Sequence, residues 1–419
     1  MSGFARATIA GAGLAGLSAA VALRRAGVPV AISDSAAQAG GRCRSYHDAA
    51  LGLTIDNGNH LVLAGNRAVA DFRAAIGATT PLSGPAHADF AFADLRDGAR
   101  WTVRMNDGAV PWWLFSRRRR VPGSRLVDYV PLARLLRAGR GRIDAVINPG
   151  GAVWDRLVEP VLLAALNTAP AESSAALAGK VLRETIGRGG RATRPMVAVP
   201  TLGAAFIDPA LAWLTVHETP LSTGRRLRSI TFDGDHVSAL RWSDGTQTIG
   251  SDEAVILAVP PWVAASLVPD LSTPTEHRAI VNGHFAFPVA RTMPAMLGLL
   301  GGTAEWIFTH PDRISVTVSA ADPLVDRDRE DLARAFWADI CAALGIAAPM
   351  PAWQVVKEKR ATFAATPEQD ALRPPPGTRW RNLFLAGDWV ASGLPATIEG
   401  ALRSGDVAAA LALGRPARY

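Results

Sequence analysis

Three glycines near the start of the chain have the spacing of a phosphate clamp. Gly11, Gly13 and Gly16 stand in "GAGLAG", after the apolar run "ATIA" and before "LSAAVALRRAG", whose composition is helical. A second apolar run, "VPVAIS", then ends at Asp34. Strand, G-x-G-x-x-G, helix, strand and acid follow one another at the separations that dinucleotide binding requires. Each position has a physical task. Gly11 permits a tight turn, and Gly13 leaves room for backbone to approach a pyrophosphate. Leu14 and Ala15 open the helix, whose first N–H groups favour negative charge. Gly16 lets that helix pack close to the strand, and Asp34 is placed to accept hydrogen bonds from ribose hydroxyls.

Further segments carry the same kind of chemistry. "AGGRCR" sets Gly40, Gly41 and Arg42 just beyond the second strand, and "IDNGNHLVLAGN" (55–66) supplies Gly58, Asn59 and His60. Residues 226–258 alternate apolar and polar positions around "DGD" and "SDG" turns, the pattern of an antiparallel meander containing Val237. The meander leads into "AVILAVP", a buried parallel strand ending near Ala258. Near the C-terminus, "LFLAGDWVASGLPATIEGALRSG" reads as a buried strand delivering Gly387 and Asp388, then a helix opening around Pro395, Thr397 and Ile398.

Together these motifs resemble the FAD-dependent amine oxidase and carotenoid desaturase superfamily. The resemblance implies FAD as cofactor. Gly40, Gly41 and Arg42 would contact its diphosphate and frame the flavin. Gly58, Asn59 and His60 would lie along the isoalloxazine ring, with Asn59 and His60 as candidate catalytic residues. Val237 would present backbone to the adenine, and Asp388 would bind the ribityl-phosphate region. The helix N-terminus at Thr397 and Ile398 would face the pyrimidine end of the flavin, where negative charge grows on reduction. One departure is that Asp34 stands where the superfamily commonly has Glu; both are acceptors.

Within that superfamily, "GGRCRSY", "IDNGNHLVLAGN", "RRVPG", "EWIF", "ISVTVSAAD" and "LAGDWVASGLPATIEGALRSG" resemble the hydroxysqualene dehydroxylase family, also called squalene-associated FAD-dependent desaturases. That resemblance runs nearly end to end. It implies reductive loss of a hydroxyl from a long isoprenoid, hydroxysqualene, giving squalene for hopanoid synthesis. A carotene or phytoene desaturase, an amine oxidase-like flavoenzyme and a prenyl-binding protein that has lost its flavin are the alternatives. Amine oxidases often use an aromatic cage and a flavin-proximal lysine. The chain has only three tyrosines and three lysines, none evidently so placed. The intact clamp argues against a protein without flavin.

The elements that hold these residues are dispersed along the chain. The expected fold is α/β: a Rossmann-like FAD-binding domain with an inserted antiparallel meander, plus a discontinuous α+β substrate domain. The FAD-binding segments are 1–78, 199–268 and 376–419; the substrate and membrane-facing segments are 79–198 and 269–375. Apolar runs at 153–166, 285–300 and 305–309 suit core, or the walls of an apolar cavity.

Composition narrows the field further. The chain has 419 residues, 49% hydrophobic and 19% charged, which suits a large packed core rather than disorder. Its two cysteines, Cys43 and Cys341, form neither a metal spacing nor a disulfide framework, which fits a reducing cytoplasm. The apolar run 7–23 is short for a membrane span and contains the clamp glycines. Net charge is +7, with 41 arginines and three lysines. That balance favours acidic partners without choosing among them.

Residues 111–120, "PWWLFSRRRR", are the most concentrated basic stretch. A substrate of squalene's size is barely soluble, so contact with a bilayer is expected. Trp112 and Trp113 would sit at the interface, with Arg117, Arg118, Arg119 and Arg120 on anionic headgroups; the alternative is that the tryptophans are core and the arginines a solvated turn. Residues 125–142 would add an interfacial helix. The expected location is cytoplasmic, peripheral on the inner face of the cell membrane. Contact with upstream squalene-pathway enzymes is a further expectation. Nucleic acid has nothing but arginine content in its favour.

Overall fold

The computed structural model describes residues 3–290 and 293–416. Within the apolar run 285–300, residues 291 and 292 therefore lie outside the described residues.

A five-stranded, all-parallel sheet carries the clamp. Its order is Leu221–Ser222, Val30–Ser33, Arg6–Ala10, Glu253–Leu257, Leu383–Leu385. Strands from three distant segments thus lie side by side. Glu253–Leu257 and Leu383–Leu385 are buried along their whole length, as expected when both faces of a sheet are covered. The first helix, Leu14–Arg25, packs on the last, Ile398–Ala412. Their approach is close: a Cβ added at Gly405 would meet the Ala15 carbonyl oxygen at 2.2 Å. The Ser18 hydroxyl lies 2.6 Å from Asp406 Oδ1. The expected meander is present as three antiparallel strands, Leu227–Asp233, His236–Trp242 and Gly245–Thr248.

A second sheet has seven strands in the order Trp353–Phe363, His277–Ala286, Arg313–Val318, Trp306–Thr309, Met296–Leu300, Asp89–Asp94, Arg100–Arg104. Side chains alternate between its faces. One face takes Val281, Phe285 and Val316 under the helix Arg329–Leu344. The other carries Phe92, Trp101, Met296, Trp306 and Phe308 in a core shared with the helical segment 154–166. Strand register places Asn282, Thr317, Trp306, Gly298, Phe92 and Trp101 in one cross-strand row. Gly298 is needed in that row, because a Cβ there would fall 2.5 Å from the Phe92 ring. The row changes from polar to aromatic along its length.

Two expectations are corrected here. Residues 125–142 do not form one interfacial helix. They make a 3-10 turn (Leu126–Tyr129) and a six-residue helix (Val130–Leu135). Pro131 starts the second piece, and Gly139 and Gly141 disfavour its continuation. Trp113 is not at the surface either, being 5% exposed and packed edge-on against Tyr129.

One ion-pair network ties the last helix to the rest of the fold. Arg403 donates to Glu184 (Nη2–Oε2 2.5 Å) and to Glu399 (Nε–Oε1 2.8 Å). Glu399 also accepts the backbone N–H groups of Ala68 and Val69, at the start of the helix Arg67–Ala75. Burial alone would raise the Glu184 pKa. Hydrogen bonds and charge from Arg403 and Lys180 outweigh it and hold the group down at about 2. A depressed carboxyl stabilises the fold above its unfolded pKa of about 4.5, and that contribution disappears as pH falls through 2. Glu184→Gln should therefore lower the melting temperature at pH 7 and flatten its fall between pH 4.5 and 2. A variant with an unchanged acid limb in thermal melts would refute this.

Candidate active site

The clamp forms at the carboxyl ends of the parallel strands. Gly11 turns with φ 108°, and a Cβ on it would strike the Ala258 carbonyl oxygen at 2.2 Å. Gly16 packs against the Gly11 carbonyl, where an added Cβ would lie at 1.9 Å. Gly13 differs: nothing lies within 4 Å of its Cβ direction. It precedes the first helix, which has no side-chain cap, so the N–H groups of its first turn point into that space. Leu14 and Ala15 are buried behind it. The Asp34 carboxylate accepts the Ala12 N–H at 2.7 Å and the Ala36 N–H at 2.8 Å, which leaves each oxygen a lone pair for a ribose hydroxyl.

The second glycine pair closes the clamp from the other side. Gly40 is left-handed, its N–H donates to the Ala12 carbonyl at 2.8 Å, and it forms a bridge with Gly13. A Cβ on Gly41 would lie 3.4 Å from the Gly13 Cα. The two glycine loops are thus side by side around one gap. Arg42 reaches past them, donating to Asp388 Oδ1 at 2.7 Å and to the Ala361 carbonyl at 2.5 Å. Asp388 is itself buried. Its turn is held by Gly387, whose N–H donates to Ser404 Oγ of the last helix at 2.8 Å. Thr397 caps that helix, accepting the Gly400 N–H at 3.0 Å; Pro395 and Ile398 are buried beside it.

The Gly58–His60 loop bridges the clamp and the seven-stranded sheet. Asp56 anchors its start by accepting the Ser45 hydroxyl and the Leu202 N–H. Asn59 donates through Nδ2 to Thr317 Oγ1 at 3.0 Å and to the Val316 carbonyl at 3.3 Å. Thr317 in turn donates to Asn282 Oδ1 at 2.8 Å. Through its amide nitrogen Asn59 holds the loop on the sheet. His60 lies near Arg42 and Asp388. Burial first, then the Arg42 charge, pushes its imidazole down to about 4, with Asp388 opposing. His60 is neutral at physiological pH. Both it and Arg42 are surrounded by protein yet partly accessible, with 42% of the Arg42 side chain open.

Val237 does not fit the adenine role. Both its backbone groups are occupied by the Asn382 side chain, the N–H at 2.8 Å and the carbonyl at 3.1 Å. The chain that borders Asp34 is Gly224–Arg225, where the Arg225 N–H donates to the Asp34 carbonyl at 2.8 Å. Ala258 sits under Gly11 as part of the clamp's support. Asn282, Thr317 and Glu358 were missed by sequence reasoning. Glu358 accepts the Asn57 amide at 3.3 Å and lies close enough to Arg42 to raise its pKa. Polar residues at inward positions of "HRAIVNGHFA" and "RISVTV" were the available signal.

A gap lined by free helix N–H groups, a ribose acceptor beside it and the Arg42–Asp388 pair beyond fit an FAD molecule. The family described as flavin containing amine oxidoreductase matches residues 14–413, and the chain belongs to it. It is a flavin-dependent oxidoreductase and uses FAD. The chain is similar to hydroxysqualene dehydroxylases: 51% identical to that of Rhodopseudomonas palustris over 97% of both chains, and 50% identical to that of Sinorhizobium fredii over 97% of both. The one from Zymomonas mobilis is 47% identical over 97% of this chain and 98% of its own. Among solved structures, putrescine oxidase bound to putrescine shares the fold with a TM-score of 0.70 at 15% identity, covering 98% of this chain and 99% of its own. An oxidoreductase from Methanosarcina mazei does so with 0.69 at 13%, covering 95% and 98%.

Proposed function

We propose that this chain converts hydroxysqualene to squalene, replacing the hydroxyl by hydrogen with FAD as the redox cofactor. The carrying observation is the cross-strand row that starts at Asn282 and Thr317, bonded to the Asn59 loop, and continues through Trp306, Phe92 and Trp101. One polar end beside the flavin loop and an aromatic run beyond it, with Arg156 stacked on Trp101 at its far end, suit a long hydrocarbon carrying one hydroxyl. Identity of 47–51% to hydroxysqualene dehydroxylases supports the same reading.

The C–O bond is allylic, so its ionisation gives a delocalised cation. Reduced flavin, when bound, supplies a hydride. The hydroxyl leaves as water after taking a proton, so one hydride and one proton are consumed per turnover. The chain's own task is to orient the substrate along the aromatic row and keep water from recapturing the cation. His60, being neutral, can hydrogen-bond the departing hydroxyl but does not act as an imidazolium acid at pH 7.

His60→Ala should keep bound flavin and lose turnover at least about tenfold, the worth of one hydrogen bond in the reacting complex. Unchanged single-turnover flavin reoxidation by hydroxysqualene would remove His60 from the chemistry. The function itself is tested by anaerobic incubation of reduced enzyme with hydroxysqualene, following flavin absorbance and product together. Squalene formed with flavin oxidation is the expected result. No squalene, alongside desaturation of a polyene by oxidised enzyme, would favour a carotene desaturase.

Because substrate and product are water-insoluble, we further propose that the working protein is peripheral on the cytoplasmic face of the cell membrane, within reach of the enzymes that make its substrate. No helix among the described residues is long and apolar enough to cross a membrane.

A further inference from the structure

Eight large hydrophobic residues are conspicuously exposed among the described residues, and six of them fall between 110 and 130. They are Val110 (56%), Trp112 (66%), Phe115 (68%), Leu126 (42%), Val127 (60%) and Val130 (53%). Single exposed apolar residues are ordinary on soluble proteins; a cluster marks a contact surface. The cluster comes from two turns, Trp112–Phe115 and Leu126–Tyr129. They are pinned together from beneath. Trp113 packs edge-on against Tyr129 at 5.6 Å, and the Tyr129 hydroxyl accepts the Val121 N–H at 3.0 Å. Asn106 Oδ1 accepts the Trp113 N–H at 3.1 Å. Trp112 and Phe115, their rings 5.9 Å apart, are thereby held outward on a preformed base.

The charge around this surface has one sign. Residues 110–142 contain nine arginines and a single acid, Asp128. Asp128 is engaged by the Arg125 backbone N–H at 2.7 Å. Arg117, Arg118 and Arg119 are exposed, with no carboxylate partner among the described residues. Apolar turns followed directly by three exposed arginines without carboxylate partners complement a bilayer with anionic headgroups. The rings reach the interfacial zone while the guanidinium groups meet phosphates. A nucleic acid would satisfy the arginines but leave the valines, Leu126 and Phe115 in water.

What lies under this surface also has a direction. Trp113, Tyr129 and Ile143 belong to the same contiguous apolar core as Leu162, Trp306 and Trp389. Trp306 is part of the substrate row, and Trp389 directly follows Asp388. We propose that the Val110–Val130 surface docks on an anionic bilayer and forms the portal through which a hydrocarbon substrate passes from lipid toward the flavin. The docking stands on the surface alone; the portal rests on the hydroxysqualene reading.

The test uses the flavin-loaded protein with two sets of vesicles, phosphatidylcholine alone and phosphatidylcholine with phosphatidylglycerol. Wild type should co-sediment with the second set and less at high salt. Trp112→Ser with Phe115→Ser should lower that partition at least about tenfold, and Arg117→Ser with Arg118→Ser and Arg119→Ser should lower it roughly a hundredfold at low salt. Flavin content and melting temperature should stay at wild-type values in both variants. Wild-type protein that ignores phosphatidylglycerol vesicles, or variants that bind them as well as wild type, would overturn the docking. So would tighter binding to an oligonucleotide than to vesicles, or a dimer abolished by the aromatic substitutions without vesicle binding. For the portal, hydroxysqualene is offered in detergent micelles and in vesicles. The aromatic variant should keep micelle turnover and lose vesicle turnover; equal loss on both would overturn the portal. Wild-type inactivity on both carriers would reject the hydroxysqualene reading and the portal with it, while sedimentation still judges the docking.

Discussion

Gly13→Val gives a folded protein that lacks flavin. Nothing in the chain lies within 4 Å of the Gly13 Cβ direction, so the added side chain displaces no protein atom. It fills the gap between the two glycine loops, where the first helix offers its uncapped N–H groups. Flavin affinity should fall at least about a hundredfold, since a branched side chain removes backbone contact with the diphosphate and forces it off the helix terminus. Gly11→Ala and Gly16→Ala are expected to behave differently. Their Cβ atoms would lie 2.2 Å and 1.9 Å from backbone carbonyl oxygens, so these substitutions should compromise folding itself. Flavin absorbance and circular dichroism on all three separate the two effects. Gly13→Val protein with a normal flavin complement would contradict the placement of the cofactor.

Asp388→Ala should also weaken flavin binding, through a different cause. The Asp388 carboxylate is buried and pairs with Arg42 at 2.7 Å, across 346 positions of sequence. Removing it leaves Arg42 with the Ala361 carbonyl as its remaining hydrogen-bond partner and only Glu358 to offset part of its charge. It also removes the polar group expected to hold the ribityl region. A charge-assisted hydrogen bond is worth about 1.5–3 kcal/mol, so FAD binding should weaken on the order of tenfold to a hundredfold. Asp388→Asn, which keeps an acceptor of the same shape, should retain an intermediate flavin content. Titration of the apoproteins with FAD measures the series, and equal affinity across it would refute the role given to this pair.

The residues that were legible in sequence share a property: their function depends on backbone conformation over short spans. Gly11, Gly13, Gly16 and Asp34 could be read because a strand, a turn and a helix within thirty-odd positions define one local geometry. Gly40, Gly41, Arg42 and Asp388 were legible through resemblance, and tertiary structure shows why they belong together. Val237 failed for a physical reason. Its inward-facing strand position was foreseeable, but the Asn382 side chain, 145 positions away, occupies both its backbone groups.

The sequence by itself thus determined the class of the fold and the glycine clamp, because hydrophobic period and glycine spacing are local properties of the chain. Only the tertiary structure decided which of two adjacent tryptophans is a surface group. Trp112 is 66% exposed and Trp113 5%, since successive side chains of a 3-10 turn point about 120° apart and only one direction met Tyr129. Only strand register brought Asn282 and Thr317 beside Asn59 and aligned them with Trp306, Phe92 and Trp101. Register is a relation between strands far apart in the chain, and a one-residue slip would turn every one of those side chains to the opposite face.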